Sequence, residues 1–420
     1  MRNAEWLQER LGGLGMRAEI VHVSNDGLPI VVGEWDGRPG KPHLTIYGHY
    51  DVQPPDPLDK WESPPFEPQI REGRLYARGA ADSKGNVMAA LKAVQHLFAA
   101  GGPPLNLRFL LEGEEEIRSE SLPRYVRDNA QRLKSDCVLV WDGVFDEQGW
   151  PTLATSVRGL LYVELHASGA PNDLHSGLYG GLAPNPIDAL AGIIAGLKDH
   201  HGRITIPGFY DSVVPTSPQE LAEWRSDDAN YAARIKAITG IRALDGETNF
   251  LARERTGSRP TLDANGILGG FVGEGVKTII PATAFAKLSM RLVPDQDWRT
   301  ILTSLEEQVH SLSTPGIEVR VDVLDAAPPV AIGIDPPTAD AMRNAFLTSF
   351  GNNPIAVREG GTIPVTYDFQ RSIGAPLVIS GIAQADCAAH SPNENLTVDH
   401  YYRGIQTVIR FINELAAIDQ

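Results

Sequence analysis

Five short segments of this 420-residue chain carry histidine, aspartate or glutamate where an apolar or small-residue stretch begins or ends. They are Gly48-His49-Tyr50-Asp51, Gly79-Ala80-Ala81-Asp82-Ser83-Lys84-Gly85, Glu112-Gly113-Glu114-Glu115-Glu116, Trp141-Asp142-Gly143 and Ala389-His390-Ser391-Pro392-Asn393-Glu394. Two histidines with three carboxylates suit two divalent cations, with zinc favoured and manganese or cobalt as substitutes. Such a pair of ions polarises a carbonyl and generates hydroxide at neutral pH. The segments therefore predict a two-metal hydrolytic site.

Each segment also has an ordinary structural interpretation. Asp51 follows His49 by two residues in extended chain, so it can sit behind the imidazole and orient it, or it can be a solvated carboxylate in a turn. Asp82 in its glycine-flanked turn suits a bridging ligand, but aspartate is also a common helix N-cap. The glutamate run can be a solvated surface, and His390 alone can be a surface or core histidine. The repetition at strand ends favours a site, since open α/β sheets bind ligands at the carboxyl ends of their strands.

Strands that alternate with helices are predicted around these segments. The predicted strands lie over 43–47, 106–111, 137–140 and 377–380, and the predicted helices over 85–99, 337–350 and 398–418. This alternation indicates a largely parallel sheet in an α/β layer.

The middle of the chain has a different pattern. Its predicted strands, over 160–167, 284–293 and 317–324, alternate between apolar and polar residues, and helices are predicted over 185–198 and 298–312, with a Pro-rich, charged helical insertion over 201–263. Alternation of this kind is typical of a small open sandwich with one exposed sheet face. The predicted fold is therefore α/β. A catalytic domain with a largely parallel mixed sheet between helices (residues 1–157 and 329–420) is interrupted by an inserted α+β domain (158–328).

The composition is that of a globular protein with an acidic charge balance. The chain has 37 Lys+Arg against 53 Asp+Glu, a net charge of −16, and 42% hydrophobic residues, too many for a disordered chain. The negative charge disfavours nucleic acid and anionic membranes as partners. Two cysteines, Cys137 and Cys387, exclude a disulfide framework, and the apolar runs are too short to span a bilayer. With an amphipathic helix start in place of a signal peptide, we expect a cytoplasmic protein.

The order of the motifs resembles the dinuclear-metal aminopeptidase-like family that includes aminoacylase, acetylornithine deacetylase, succinyl-diaminopimelate desuccinylase and carnosinase. Within that family, the chain looks most like the branch of cytosolic nonspecific dipeptidases. The motifs that carry this likeness are Gly48-His-Tyr-Asp-Val-Gln-Pro54, Trp61-Glu-Ser-Pro-Pro-Phe66, Asp173-Leu-His-Ser-Gly-Leu-Tyr-Gly-Gly181 and Arg358-Glu-Gly-Gly-Thr-Ile-Pro364. The resemblance runs in one order from about residue 43 to residue 410. It implies that the inserted domain is a lid and dimerisation domain.

The resemblance also implies a ligand set for two metal ions per subunit. His49, Asp82 and Asp142 would hold one ion. Glu116 and His390 would hold the other, with Asp82 bridging the two ions.

The groups beside the metals receive roles in the same way. Asp51 would orient His49, and Glu115 would be the general base that takes a proton from the metal-bridging water and delivers it to the leaving amine. One position departs from the family, which usually has a small residue where this chain has Arg118. If that position needs a positive φ, Arg118 would be strained by roughly 1 kcal/mol or more.

Further residues would contact the substrate. By resemblance, His175 would reach the active site of the partner subunit and stabilise the oxyanion, with Thr278 as a second residue contributed across a homodimer. Arg291 and Thr362 would hold the terminal carboxylate of the substrate, because arginine can grip a carboxylate with two hydrogen bonds. His390 would contact the substrate as well as the metal. Taken alone, His175 can be a loop histidine and Arg291 a strand-surface arginine.

The predicted function is metal-dependent hydrolysis of the amide bond of dipeptides or short peptides with a free C-terminal carboxylate. The insertion over 201–263 favours the dipeptidase, because the resemblance implies shorter chains with a smaller lid for the deacylase branches of the family. The alternative is an N-acyl-amino-acid deacylase or desuccinylase that uses the same site. A metal-free peptide-binding or scaffold protein is disfavoured, because it would have lost a ligand or the base, and all of them are present.

Overall fold

The computed structural model describes residues 1–333 and 336–418. The first stretch contains α1 (Arg2–Gly13), β1 (Arg17–Val21), β2 (Ile30–Trp35), β3 (His43–His49), β4 (Gln69–Arg71), β5 (Arg74–Tyr76), α2 (Lys84–Ala99), β6 (Asn106–Glu112), α3 (Ser121–Asp128), β7 (Cys137–Trp141) and β8 (Thr152–Val157). The middle stretch contains β9 (Gly159–Ser168), β10 (Leu174–His175), α4 (Ser176–Tyr179), α5 (Pro186–Gly196), α6 (Pro218–Thr239), β11 (Thr261–Gly269), β12 (Ile279–Ile280), β13 (Thr283–Leu292), α7 (Trp298–Leu312), β14 (Glu318–Ala327) and β15 (Val330–Ala331). The last stretch contains α8 (Pro336–Phe350), β16 (Ile355–Glu359), α9 (Val365–Asp368), β17 (Leu377–Ser380), β18 (Asn395–Thr397) and α10 (Val398–Ala416).

The chain folds into two compact units. The first unit is built from Met1–Thr155, Ile332–Val357 and the segment from Ile363 onward, and the second from Ser156–Ala331 and Arg358–Thr362. The role of the inserted segment as a lid and dimerisation domain stays a prediction. Among the described helices, none has the length and apolar character that a bilayer span requires.

The first unit contains a sheet with the strand order β1-β2-β6-β3-β7-β17. Strands β6, β3, β7 and β17 are parallel, whereas β1 pairs with β2 and β2 with β6 in antiparallel fashion. The predicted mixed, largely parallel α/β sheet is therefore confirmed. Strand β7 and all but the first residue of β3 are buried, as expected of parallel strands covered by helices. The carboxyl ends of the parallel strands lie along one edge of the sheet.

Small residues bring α2 close to this sheet. Ala89 and Ala93 of α2 are fully buried. At Gly48, an added Cβ would lie only 2.7 Å from a methyl carbon of Val87, so a larger residue there would push the helix away. Helix α10 packs against both α2 and α8. This packing fixes the strand end that follows Gly48, which is His49.

The second unit contains an antiparallel sheet with the strand order β11-β13-β9-β14. Strands β9 and β13 alternate between buried and more exposed residues, as predicted from their sequences. Val163 of β9 and its cross-strand partner Leu288 of β13 are fully buried. They belong to an apolar core that also includes residues of α5 and α7, so one face of the sheet is covered by these helices.

The charged insertion over 201–263 contains one long helix, α6. It begins with a capping box in which Ser217 and Glu220 exchange hydrogen bonds, and it ends at Gly240, which has a φ of 73°. The insertion is not helical throughout, because strand β11 already begins at Thr261. Most of β11 is exposed and lacks the alternation that identifies a half-buried strand, which is why its sequence did not predict it.

Candidate metal centre

The candidate ligands of the first unit lie at the ends of its strands and helices. His49 is the last residue of β3, Glu116 lies in a short 3₁₀ turn after β6, Asp142 follows β7, Asp82 precedes α2, and His390 precedes β18. Strands β3, β6 and β7 are parallel neighbours, so their carboxyl ends bring three of these residues to the same edge. The loops before α2 and β18 supply the other two.

Asp82 lies between the two histidines. One carboxylate oxygen, Oδ1, is 3.0 Å from Nε2 of His49, and the other, Oδ2, is 2.9 Å from Nε2 of His390. Asp142 Oδ2 lies 3.6 Å from His49 Nε2, and Glu116 Oε2 lies 3.3 Å from His390 Nε2. The five side chains thus form two groups of three that share Asp82. Potential ligand atoms of His49, Asp82 and Glu116 all lie within 4.8 Å of one another.

Asp51 connects two of the ligand-bearing segments. Its Oδ1 lies 3.2 Å from Nδ1 of His49, and its Oδ2 accepts the backbone N–H of Glu116 at 3.0 Å. His49 therefore directs Nδ1 toward Asp51 and Nε2 toward Asp82. Gln53 also contributes, because its Nε2 donates to Glu116 Oε2 at 2.8 Å.

The electrostatics of the cluster indicate a place for cations. Burial raises the pKa of Asp142 to about 7, where the charge of Asp82 adds to the shift and that of His49 opposes it. Hydrogen bonds to Asp82 and Glu116 raise the pKa of His390 to about 10. Within the described residues, the buried Oε1 of Glu116 has no hydrogen-bond partner. An orphaned carboxylate oxygen among imidazoles and carboxylates fits a divalent cation with oxygen and nitrogen ligands.

Glu115 lies beside this cluster, in the turn that carries Glu116. Burial raises the pKa of Glu115 well above its usual value, and the neighbouring negative charges add to the shift while His49 opposes it. The turn ends at Arg118, whose φ is 93°. That is the left-handed backbone under which we expected Arg118 to be strained.

The other glutamates of the run do not join the cluster. Glu112 is fully buried and accepts a hydrogen bond from the hydroxyl of Tyr47 at 2.7 Å. Glu114 accepts the backbone N–H groups of Leu28 at 2.7 Å and Ser121 at 2.8 Å. Backbone donors thus stabilise the charge of Glu114 away from the ligands, whereas burial raises the pKa of Glu112 to about 7 despite its hydrogen bond from Tyr47.

In the second unit, His175 and Thr278 are neighbours. Strands β10 and β12 pair with His175 opposite Ile279, and the N–H of Ser176 donates to the carbonyl of Thr278 at 3.1 Å. Both side chains are exposed. The N–H of Gly177 donates to His175 Nδ1 at 3.0 Å, so the neutral imidazole carries its proton on Nε2.

Arg291 and Thr362 also meet in the second unit. Nη1 of Arg291 donates to the hydroxyl of Thr362 at 2.7 Å, and that hydroxyl donates to the backbone carbonyl of Arg158 at 2.7 Å. Arg158 in turn donates from Nε to the carbonyl of Gly360 at 2.8 Å. Burial lowers the pKa of Arg158 to about 10, and the charge of Arg291 adds to this shift. The negative charges of Glu359 and Asp263 oppose the shift.

Three residues of these sites were not predicted. Gln53, which donates to Glu116, is one of them. Arg158 fixes the loop that carries Thr362, and Glu394 is a fully buried carboxylate behind Asp82. Glu394 belongs to the segment that contains His390, which is the one signal in the sequence that could have drawn attention to it. Arg158 has no such signal, because its partner in the Gly360 loop lies about 200 residues later in the chain.

Comparison with known proteins identifies the family. The sequence pattern of peptidase family M20/M25/M40 matches residues 45–414. The Cys-Gly metallodipeptidase dug1 of Schizosaccharomyces pombe is 32% identical over 422 residues, which cover 97% of this chain and 88% of that protein. The Beta-Ala-His dipeptidase of Rattus norvegicus is 29% identical over 430 residues, which cover 98% of this chain and 86% of that protein.

A solved structure extends the likeness to the whole fold. The M20 family metallo-carboxypeptidase Sso-CP2 from Sulfolobus solfataricus superposes with a TM-score of 0.88 at 34% identity, covering 99% of this chain and 94% of the other. The residues that match the family pattern span most of the chain and include all the candidate metal ligands. This chain belongs to peptidase family M20/M25/M40 and is a metal-dependent peptide-bond hydrolase.

Proposed function

We propose that this enzyme is a dipeptidase that hydrolyses the peptide bond of dipeptides or short peptides with a free C-terminal carboxylate. The observation that carries the proposal is Asp82, whose two carboxylate oxygens each face a different histidine. Such a carboxylate suits a bridge between two cations. The relatives named for Cys-Gly and Beta-Ala-His as substrates support dipeptides as the substrate class.

The proposed ligands divide between two cations, with zinc favoured and manganese or cobalt as substitutes. His49, Asp82 and Asp142 would hold one of them. Asp82, Glu116 and His390 would hold the other, and the orphaned Oε1 of Glu116 supports this assignment. When bound, the cations would polarise the scissile carbonyl and lower the pKa of the attacking water.

Glu115 would carry the proton through the reaction. It accepts a proton from the attacking water and then donates it to the nitrogen of the leaving amine, so that the C–N bond breaks with a neutral amine as product. Burial raises the pKa of Glu115 well above its usual value, so the carboxylate holds an accepted proton more strongly than an exposed glutamate would. The position of Glu115 next to Glu116 in one turn supports a base beside the cations rather than a ligand.

The substrate would be held by groups of the second unit. Arg291 and Thr362 would bind the terminal carboxylate, and Arg158 keeps the loop with Thr362 in place. The Nε2–H group of His175 would donate a hydrogen bond to the oxyanion that develops on the scissile carbonyl. His390 would contact the substrate from the metal cluster.

We also propose that the enzyme is a cytoplasmic homodimer in which His175 and Thr278 serve the active site of the partner. Both side chains are exposed in the second unit. Large apolar side chains are exposed in the same unit as well: Leu178, Leu182, Val272 and Val276. Apolar surface of this kind is typical of an interface between subunits.

Amine release from a substrate panel tests the proposal. The panel combines dipeptides, including Cys-Gly and β-Ala-His, with N-acetyl and N-succinyl amino acids, each assayed with Zn²⁺ or Mn²⁺ and with a chelator. Cleavage of dipeptides that the chelator abolishes is the expected result. Turnover of the N-acyl substrates alone would show that the enzyme is a deacylase and not a dipeptidase. Turnover that persists with the chelator would contradict the metal centre.

A further inference from the structure

Glu394 is a fully buried carboxylate that receives hydrogen bonds from the loop before α2. Its Oε1 accepts the backbone N–H groups of Ala81 and Asp82, both at 2.9 Å. Its Oε2 accepts the backbone N–H of Gly79 at 2.9 Å and Nη1 of Arg78 at 2.7 Å. Each carboxylate oxygen therefore has two donors, and three of the four donors belong to the backbone of one short loop.

The buried negative charge of Glu394 is neutralised by the neighbouring guanidinium of Arg78. The Arg78 side chain is 1% exposed and that of Glu394 is not exposed, so the ion pair between them is shielded from water. A buried carboxylate is tolerated only where counter-charge and hydrogen bonds replace its hydration, and here both are present.

The same carboxylate joins the two segments that carry facing metal ligands. Glu394 lies four residues after His390, and it binds the backbone N–H of Asp82, whose side chain faces His390 at 2.9 Å. We propose that Glu394 is a positioning residue for the metal centre, which fixes the backbone of Asp82 relative to His390 so that the shared carboxylate can face both cations. The inference rests on the proposed ligand set.

A purely structural role would make Glu394 one more buried ion pair, and the first unit offers a matched example. Glu34 is 4% exposed and is bound by the guanidinium of Arg108 at 3.0 Å. Arg108 lies four strand positions before Glu112, the last residue of β6, and the turn that carries Glu116 begins only at Glu115. Loss of the Glu34 charge should therefore weaken the fold without reaching the ligands.

The experiment compares Glu394→Gln with Glu34→Gln. In Glu394→Gln the amide nitrogen must face one of the two donor pairs, which leaves either Ala81 and Asp82 or Gly79 and Arg78 without an acceptor. Removing a group that orients metal ligands costs roughly tenfold to a hundredfold in metal affinity. We expect Glu394→Gln to weaken Co²⁺ binding by about that factor and to alter the visible Co²⁺ absorption spectrum. Glu34→Gln should leave both unchanged, although both variants should unfold at lower urea concentration.

Three outcomes decide the matter. Wild-type Co²⁺ affinity and spectrum in Glu394→Gln would overturn the positioning role while leaving the proposed ligands intact. An equal loss of affinity in Glu34→Gln would also overturn it, because general destabilisation would then explain the effect. Failure of the wild-type protein to bind Co²⁺ would overturn the proposed metal site and this inference with it.

If Glu394→Gln does not fold, Glu394→Asp replaces it. Aspartate keeps the negative charge beside Arg78, but its carboxylate is about one C–C bond (~1.5 Å) shorter in reach. It cannot keep the hydrogen bonds to both ends of the loop at their present lengths. We expect weaker Co²⁺ binding with a folded circular dichroism spectrum, and unchanged binding would overturn the proposal.

Discussion

Asp51 contacts His49 at Nδ1, the ring nitrogen opposite the one that faces Asp82. The distance between Asp51 Oδ1 and His49 Nδ1 is 3.2 Å, and the second oxygen of Asp51 accepts the backbone N–H of Glu116. A carboxylate at Nδ1 keeps the proton of the neutral imidazole on that nitrogen and leaves Nε2 with its lone pair. The carboxylate of Asp51 therefore orients two candidate ligands: it contacts the side chain of His49 and the backbone of Glu116.

The first prediction concerns the substitution Asp51→Asn. The amide oxygen can still accept the N–H of Glu116, but the amide nitrogen then faces His49 and donates to Nδ1. The imidazole would have to carry its proton on Nε2, which blocks that nitrogen as a ligand. We expect Co²⁺ affinity, measured by titration of metal-free protein, to fall roughly tenfold to a hundredfold.

A matched control for this change is Asp59→Asn. Asp59 is exposed in the short 3₁₀ turn Leu58–Lys60, so the substitution removes the same charge away from the cluster. Its Co²⁺ affinity should equal that of the wild-type protein. If Asp51→Asn binds Co²⁺ as tightly as this control does, Asp51 does not set the tautomer of His49.

The second prediction separates proton transfer from metal binding. Glu115→Gln retains the size of the side chain but cannot accept a proton. We expect kcat for dipeptide hydrolysis to fall about 10²- to 10⁴-fold, the usual contribution of a general base. Metal content, measured by elemental analysis after dialysis, should stay at the wild-type level. Loss of metal together with loss of turnover would assign Glu115 to the ligands instead.

The third prediction concerns backbone strain at Arg118. Its φ of 93° costs a non-glycine residue roughly 1 kcal/mol or more, whereas glycine adopts it freely. Arg118→Gly should therefore raise the free energy of unfolding relative to Arg118→Ala, which removes the same side chain but keeps the strain. Urea unfolding of the metal-free variants measures the difference, expected at about 1 kcal/mol. Equal stability of the two variants would mean that this turn stores no strain.

The fourth prediction is a pH dependence of stability that arises at Glu34. Three arginines donate hydrogen bonds to its carboxylate: Arg17, Arg108 and Arg132. Burial alone would raise the pKa of Glu34, but these guanidinium groups outweigh it and lower the pKa to about 2. Because the folded pKa lies below the ordinary value near 4.5, the contribution is fully present above pH 4.5 and is lost as the pH falls toward 2.

The size of this effect follows from the shift. It amounts to on the order of 3 kcal/mol at pH 7 and falls to roughly 1 kcal/mol at pH 3. The difference in unfolding free energy between wild type and Glu34→Gln, measured with urea on metal-free protein, should therefore become smaller when the pH is lowered from 7 to 3. Glu9→Gln, on the exposed side of α1, serves as the control and should show little gap at either pH. A gap of the same size at pH 3 and pH 7 would contradict the low pKa.

The pattern of apolar and small residues along the sequence predicted the strands and helices that carry the candidate ligands. The strands that lead to His49 and Asp142 are largely apolar runs, and the helix after Asp82 is rich in small residues. Asp51 could be placed behind His49 because residues two apart in extended chain share a face. Strand β11 was missed, since an exposed edge strand has no buried face to impose alternation.

The residues that hold the ligand segments in place could not be predicted in this way. Glu394 binds backbone groups more than 300 residues earlier in the chain, and Arg158 binds a carbonyl about 200 residues later. Neither contact produces a periodic pattern in the sequence, because its partner is a backbone group that the fold brings close from a distant part of the chain. Such contacts can be identified only in the three-dimensional structure.

The last prediction tests whether His175 acts in the active site of the partner subunit. His175→Ala and Glu115→Gln should each reduce turnover strongly when purified alone. In a mixed dimer, the His175→Ala subunit keeps Glu115 and would receive an intact His175 from the Glu115→Gln subunit. One complete site would then be restored in each mixed dimer, and random exchange of subunits should recover roughly a quarter of wild-type activity.

The control replaces Glu115→Gln by the double variant His175→Ala/Glu115→Gln. Mixed dimers of this protein with His175→Ala contain no intact His175, so no activity should return. If His175 acted within its own subunit, the first mixture would be as inactive as the control, because each subunit would lack either the histidine or the base. Recovery in the first mixture alone therefore requires that the histidine and the base come from different chains.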